Sequence, residues 1–158
     1  MRRNPIRVYA DTSVYGGVFD DEYAEPSRTF FDQVRAGGFD LVVSPVVWDE
    51  LKGAPDAVQA LFDEYRHFAQ IVDVSEEAIR LQQAYLHAAI LGPKWETDAL
   101  HVAVATVARC RLLVSWNFKH IVSFQKIPLY NGVNLTCGYD TIGVHTPQEV
   151  ILHEDEDV

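Results

Sequence analysis

Four short segments of this 158-residue chain carry polar side chains whose types and spacing could do chemistry. They are Asp11-Thr12-Ser13-Val14, Ser44-Pro45-Val46-Val47-Trp48-Asp49-Glu50-Leu51, Thr97-Asp98-Ala99-Leu100-His101-Val102-Ala103 and Ser115-Trp116-Asn117-Phe118-Lys119-His120-Ile121. Three carboxylates stand among them: Asp11, Glu50 and Asp98. Brought into one pocket, they repel one another unless a cation sits between them. Hard oxygen donors of this kind suit Mg²⁺, which takes a few carboxylates and fills its remaining positions with water and phosphate. Such an ion neutralises a phosphate, orients a water and lowers its pKa. That is the chemistry of phosphodiester hydrolysis, and it requires no general base beyond the metal cluster.

Each residue also has a structural alternative. Asp11, following a strand and preceding Thr12-Ser13, could cap a helix. Glu50 taken alone reads as a solvated helix-face acid, and Asp49 beside it points elsewhere around the helix. Asp98 beside Thr97 could be simple capping. Asn117 could be a turn former. Lys119 and His120 read equally as phosphate contacts or as a solvated turn. His101 lies three residues after Asp98, so it could approach a site or could be a hydrogen-bonded core histidine. Glu96 reads as a surface residue or an outer ligand. Trp48, Trp95 and Trp116 read as packing residues more often than as base-stacking platforms.

The elements that must position these side chains follow from the pattern. Ile6 to Ala10 is a short apolar-rich strand stopped by Asp11-Thr12-Ser13. Pro26 to Ala36 reads as a helix with Phe30, Phe31 and Val34 on one face, ended by Gly37-Gly38. Leu41-Val42-Val43 is a buried strand, and Pro45 suits the first turn of a helix over Val46 to Lys52. A further helix is expected over Asp56 to His67. Ile71 to Val74 is a strand or an extended connector. Ser75 should cap a helix that carries Glu76 and Glu77 in its first turn and runs to Leu91. Its expected inward positions are Ile79, Tyr85, Leu86 and Ile90. Thr97 is expected to cap a helix over Asp98 to Cys110, apolar nearly all round and therefore deep in the fold. Leu112 to Val114 is a strand, Thr141 to Val144 a last one, and Pro147 to Leu152 a terminal helix.

Short apolar strands alternating with helices predict an α/β domain with a mostly parallel sheet. Ligands in such sheets bind beyond the carboxyl ends of the strands. Asp11 follows the first strand directly, and Asn117 follows Leu112 to Val114 after only Ser115 and Trp116. These two polar residues should meet in space.

Taken in order, the four segments resemble the acidic motifs of the PIN-domain nucleases, most of all the VapC-type toxin ribonucleases. The resemblance extends from Val8 to the end of the chain and includes Thr146-Pro147-Gln148-Glu149-Val150. It implies a three-layer α/β/α sandwich with a central mostly parallel sheet, and metal-dependent hydrolysis of RNA. The first acid maps to Asp11, the second to Glu50 and the third to Asp98, which implies that these three hold Mg²⁺ or Mn²⁺. The fourth position, commonly Asp, is Asn117 here; it removes a charge and bears on whether one metal or two are held. Thr12 or Ser13 matches the hydroxyl near the first acid, and with Lys119 and His120 they form the candidate substrate contacts. The resemblance also implies an antitoxin protein as a partner, and a homodimer is left open.

The rest of the sequence sets bounds. The length fits one domain over residues 1–152, with an acidic tail over 153–158. The composition, 48% hydrophobic and 23% charged, is that of a globular protein. The net charge of −10 opposes nucleic-acid binding unless a metal neutralises the clustered acids. Cys110 and Cys137 form no metal-ligand pattern and are expected to be reduced thiols. Neither a signal peptide nor a membrane span is expected, so a cytoplasmic protein is the reading. Three other functions compete: a DNA nuclease of related architecture, a catalytically weakened nucleic-acid-binding module, and an aspartyl phosphatase. Ser13 opposes the last, because those enzymes usually carry a second Asp at that place.

Overall fold

The computed structural model describes residues 4–153, so the expected acidic tail, apart from His153, lies outside the described residues. Five strands form one sheet: β1 (Ile6–Ala10), β2 (Phe39–Val43), β3 (Gln70–Ile71), β4 (Leu112–Val114) and β5 (Gly143–His145). Their order is β3-β2-β1-β4-β5, and every pairing is parallel. The described residues also form eight α-helices, seven between strands and one after β5: α1 (Thr12–Gly17), α2 (Ala24–Arg35), α3 (Pro45–Leu51), α4 (Asp56–Tyr65), α5 (Glu76–His87), α6 (Glu96–Val107), α7 (Ile127–Thr136) and α8 (Pro147–Val150). The expected α/β class with a parallel sheet is what the chain adopts. The chain leaves β1 for β2 on one side and reaches β4 on the other. Strand order therefore reverses between β1 and β4, where such sheets open a crevice at their carboxyl ends. Val8 pairs with Leu112 and Ala10 with Val114, which sets Asp11 beside Ser115.

The helices differ from expectation where the chain turns without glycine. Four helices close with the same reverse turn, in which a left-handed residue donates to the carbonyl three residues back and its successor to the one five back. Glycine supplies that conformation at Gly37 and Gly138, but Ala89 (φ 58°) and Arg109 (φ 59°) supply it after α5 and α6. The expected ends at Leu91 and Cys110 therefore overran. The inward stripe of α5 is Ala78, Leu81, Gln82 and Tyr85, whereas Ile79 is exposed. Ser75 caps α5 as expected, its side chain accepting from the Ala78 amide. Thr97 does not cap α6: the helix starts at Glu96, and Asp98 lies in its first turn. As expected, α6 is deeply buried, from Ala99 and His101 through Thr106.

Helix α1 begins directly after Asp11, as the capping alternative allowed, and α7 fills a stretch to which the sequence reading assigned no element; it carries Pro128, Asn131 and Gly132. Tertiary bonding holds α7 in place: the Tyr85 hydroxyl donates to Asn134 Oδ1, and the Asn131 amide to the Ile142 carbonyl. Cys110 is buried, Cys137 is exposed, and both are free thiols. Among the described residues no helix is long and apolar enough to cross a membrane.

Candidate active site

Asp11 stands at the β1/β4 reversal. Its amide donates to the Val114 carbonyl (3.1 Å), tying it to the neighbouring strand. Although it is the residue before α1, its side chain makes no capping bond. The carboxylate is nearly fully buried and is held from two sides: Ser13 Oγ donates to Oδ1 (2.6 Å) and Ser115 Oγ to Oδ2 (2.9 Å). Burial raises its pKa above the usual carboxylate value. His101 and the two hydroxyls oppose that shift, and the nearby Glu50 charge adds to it. The two serines are fixed in turn, Ser13 Oγ accepting the Trp116 amide and Ser115 Oγ the Asn117 amide, both at 2.9 Å.

Glu50 arrives from α3, whose Val46, Val47 and Leu51 are buried. Its carboxylate accepts from Thr12 Oγ1 (2.7 Å) and is bonded to His101 Nε2. Burial pushes its pKa up, but the His101 contact and the Thr12 hydroxyl outweigh this, and it sits below the usual value. Asp49 beside it turns outward to Lys52. His101 is both things the sequence allowed: a buried histidine and a neighbour of the acids. Its Nδ1 meets the Tyr9 hydroxyl (2.8 Å), which also meets Ser44 Oγ (2.8 Å). An ionised Glu50 needs a donor at Nε2, so a neutral imidazole accepts from Tyr9 at Nδ1, and Tyr9 accepts from Ser44.

Asp98 lies one helical turn before His101, with the favourable end of the α6 dipole behind it. Its Oδ2 is bonded to His120 Nδ1 (2.9 Å) rather than to the other acids. Asn117 shapes the turn after β4: its Oδ1 accepts the His120 amide (3.0 Å). Lys119 is exposed on that turn, and Glu96 is exposed at the start of α6. Trp116 packs as expected, stacked on Tyr23 and donating its indole N–H to Ser27.

The structure thus brings Asp11, Glu50, Thr12 and Ser13 into one network and sets Asp98, Asn117 and His120 in a second. Among the described residues, no three of His, Cys, Asp and Glu converge into a ready-made metal cage. The donor chemistry still fits a hard cation. Asp11 and Glu50 lie within Coulomb range of each other, and among the described residues neither has a lysine or arginine partner. Mg²⁺ characteristically takes one or two carboxylates and leaves its other positions to water and phosphate. Sequence reasoning gave no role to Ser115, Tyr9 or Ser44. The signal for Ser115 was present, since it occupies on β4 the place that Asp11 occupies on β1. Tyr9 carried none, because a tyrosine inside a buried strand reads as core.

No family model matches the chain, and no curated protein matches it by sequence. Solved structures share its fold. The VapBC2 structure from Rickettsia felis, bound to a promoter DNA fragment, contains a chain that matches with a TM-score of 0.58 and 15% identity, over 89% of this chain and 98% of that one. FitAcB from Neisseria gonorrhoeae matches with a TM-score of 0.55 and 12% identity, over 90% and 99%. FitAB bound to an IR36 DNA fragment matches with a TM-score of 0.56 and 11% identity, over 93% and 99%. At these identities the likeness establishes a shared fold, the PIN-like α/β/α sandwich.

Proposed function

We propose that this chain is a metal-dependent endoribonuclease, the toxin of a toxin–antitoxin pair. In this reading Asp11, Glu50 and Asp98 hold Mg²⁺ or Mn²⁺. The observation that carries it is the pairing of Asp11 with Glu50 at the strand-order reversal, with only hydroxyls and one imidazole as partners. A purely structural role does not account for two acids set near each other without a cationic side chain, one of them almost fully buried. The matching segments, and toxin–antitoxin complexes as structural neighbours, support the same assignment.

A bound cation supplies charge neutralisation for the phosphate and a water of lowered pKa. The chain's own residues do the rest. Ser13 and Ser115 point both Asp11 oxygens, and His101 and Thr12 orient Glu50. Asp98, which His120 orients, would be the third carboxylate toward the cation, and Lys119 beside His120 would meet a phosphate oxygen. Thr12 and Ser13 serve substrate from the other side. The acidic cleft beside Lys119 also suits a protein partner that inserts an arginine, the role we assign to an antitoxin.

The test is cleavage of labelled RNA and DNA with Mg²⁺, Mn²⁺ or EDTA. Cleavage of RNA that EDTA stops, and that Asp11→Asn, Glu50→Gln and Asp98→Asn each abolish while remaining folded, is the expected result. Full activity in Asp98→Asn would overturn the metal set, and cleavage of DNA alone would overturn the substrate. Co-expression with the adjacent small reading frame should give a complex that suppresses cleavage.

A further inference from the structure

We propose that Trp95, Lys94 and Lys119 form a binding subsite for single-stranded RNA, with one base stacked on the indole and the flanking phosphates on the two lysines. The proposal rests on the nuclease reading above and adds Trp95 and Lys94, which that reading does not use. Lys94 Nζ lies 5.1 Å and Lys119 Nζ 5.6 Å from the Trp95 ring centroid. The two lysines come from separate segments, one before α6 and one after β4, and the fold brings them to one indole. Trp95 is 36% exposed. Its ring packs 4.2 Å from the His120 ring, which holds Asp98. The patch therefore borders the acid that the nuclease reading places at the metal.

What distinguishes this patch is one indole between two cations that lack a carboxylate partner. The chain is strongly acidic, and among the described residues four of its cations are paired: Arg35 with Glu64, Lys52 with Asp49, Arg66 with Asp63 and Arg80 with Glu76. Lys94 and Lys119 have no carboxylate partner among the described residues, a lack they share with Arg28, Arg109 and Arg111. Their charges rest over an aromatic face, a contact that leaves the ammonium free for a stronger anion. A polyanion drawn to an acidic protein gains most where two uncompensated cations meet. An indole between them offers a sequence-tolerant stacking face.

Hydrogen bonds close both supports. Gly92-Pro93 leads into a single 3₁₀ turn, Pro93–Trp95, which the Trp95 amide closes on the Gly92 carbonyl (3.0 Å) and which passes directly into α6. The Asn117–His120 turn is closed by Asn117 Oδ1 and anchored by the buried Tyr130 hydroxyl, which donates to the His120 carbonyl (2.7 Å).

The experiment measures binding of a fluorescently labelled oligouridine to the full chain in EDTA, where no cleavage occurs, across a range of salt. Wild type should bind at low salt. Trp95→Ala should weaken binding about 5- to 150-fold, the worth of one stacked base, while Trp95→Phe should keep most of it. Lys94→Gln and Lys119→Gln should each lower the slope of log K against log salt by about 0.7. Wild-type affinity in Trp95→Ala, unchanged slopes in both lysine variants, or no wild-type binding at low salt would each overturn the subsite. An equal Trp95→Ala loss on duplex RNA would overturn its single-strand assignment, because paired bases do not offer a free face. The two readings fail separately. Unimpaired RNA cleavage by the acid variants removes the nuclease site and leaves oligouridine binding standing, whereas wild-type binding by Trp95→Ala removes the subsite and leaves cleavage standing.

Discussion

Asp11→Asn should make the metal-free protein more stable and the metal-loaded protein less stable than wild type. The sign comes from the burial of Asp11. Placing one carboxylate in the interior costs several kcal/mol. The Ser13 and Ser115 hydroxyls return about 1.5–3 kcal/mol each when they bond a charge, against about 1 when they bond a neutral group. The part of that return which depends on charge is therefore about 1–4 kcal/mol. The raised pKa says that burial outweighs it. Asparagine keeps the shape, and the serine facing its amide can accept instead, turning its own proton toward the other serine at 3.5 Å. A gain of about 1 kcal/mol, or roughly 2–4 °C for a chain of this length, is the expectation in EDTA at neutral pH. The pH dependence has a definite direction. With its folded pKa above the unfolded value, Asp11 binds more protons in the native state, so wild-type stability falls as pH rises from the unfolded value through the folded one. Below that window the two proteins should converge. Metal reverses the order: a hundredfold excess over Kd adds about 2.7 kcal/mol to wild type, roughly 5–11 °C, and little to the variant. The assay is a thermal melt of both proteins in EDTA and in Mn²⁺ at several pH values. If Asp11→Asn is no more stable in EDTA, the burial argument is wrong; if both proteins gain equally with Mn²⁺, Asp11 is not a ligand.

Three further substitutions probe the supports. Tyr9→Phe leaves the buried Ser44 hydroxyl and His101 Nδ1 without their partner and should cost about 1–3 kcal/mol by chemical denaturation; it should also weaken Mn²⁺ binding by calorimetry, because His101 orients Glu50. Gly17→Ala builds a Cβ 2.7 Å from Ser27 Oγ and 2.8 Å from Trp116 Nε1, splitting their hydrogen bond; overpacking of about 1–3 kcal/mol should appear as a lower midpoint and a changed Trp116 fluorescence. Asn117→Asp keeps the acceptor that the His120 amide uses, so its stability should hold, whereas Asn117→Ala should lose about 1 kcal/mol. Tighter Mn²⁺ binding in Asn117→Asp would mark a side chain that also reaches the ion, and unchanged binding one that only shapes the turn.

How far the sequence could be read depended on whether the signal was local. The strands, Ser75 as a cap and the depth of α6 rest on apolar runs, one side-chain bond and an apolar helix, all visible along the chain. The meeting of the β1 and β4 ends followed from parallel topology, although the residue that touches Asp11 there is Ser115 and not Asn117. Helix ends at Ala89 and Arg109 could not be foreseen, because neither residue favours a left-handed backbone. Helix α7 was invisible for the converse reason: its asparagines and glycine argue against a helix, and its bonds to Tyr85 and Ile142 come from outside it. Tyr9 joined the site only when α6 placed His101 against it.

The two central acids are kept in opposite electrostatic conditions. Asp11 lies among hydroxyls in a buried pocket and is pushed toward its neutral form. Glu50 lies half open to solvent against an imidazole and is held in its charged form. The opposite shifts have separate causes, burial for Asp11 and, for Glu50, burial overcome by the His101 and Thr12 contacts. On the proposed metal reading, a cation and a proton would compete here: a divalent ion would favour both acids ionised, so its affinity should weaken as pH falls into the range where Asp11 is protonated. The hydroxyls of Ser13 and Ser115 would moderate that competition, because their bonds favour the ionised carboxylate. Sequences that replace either serine with an apolar residue should therefore need a higher pH, or more metal, to fill the same site.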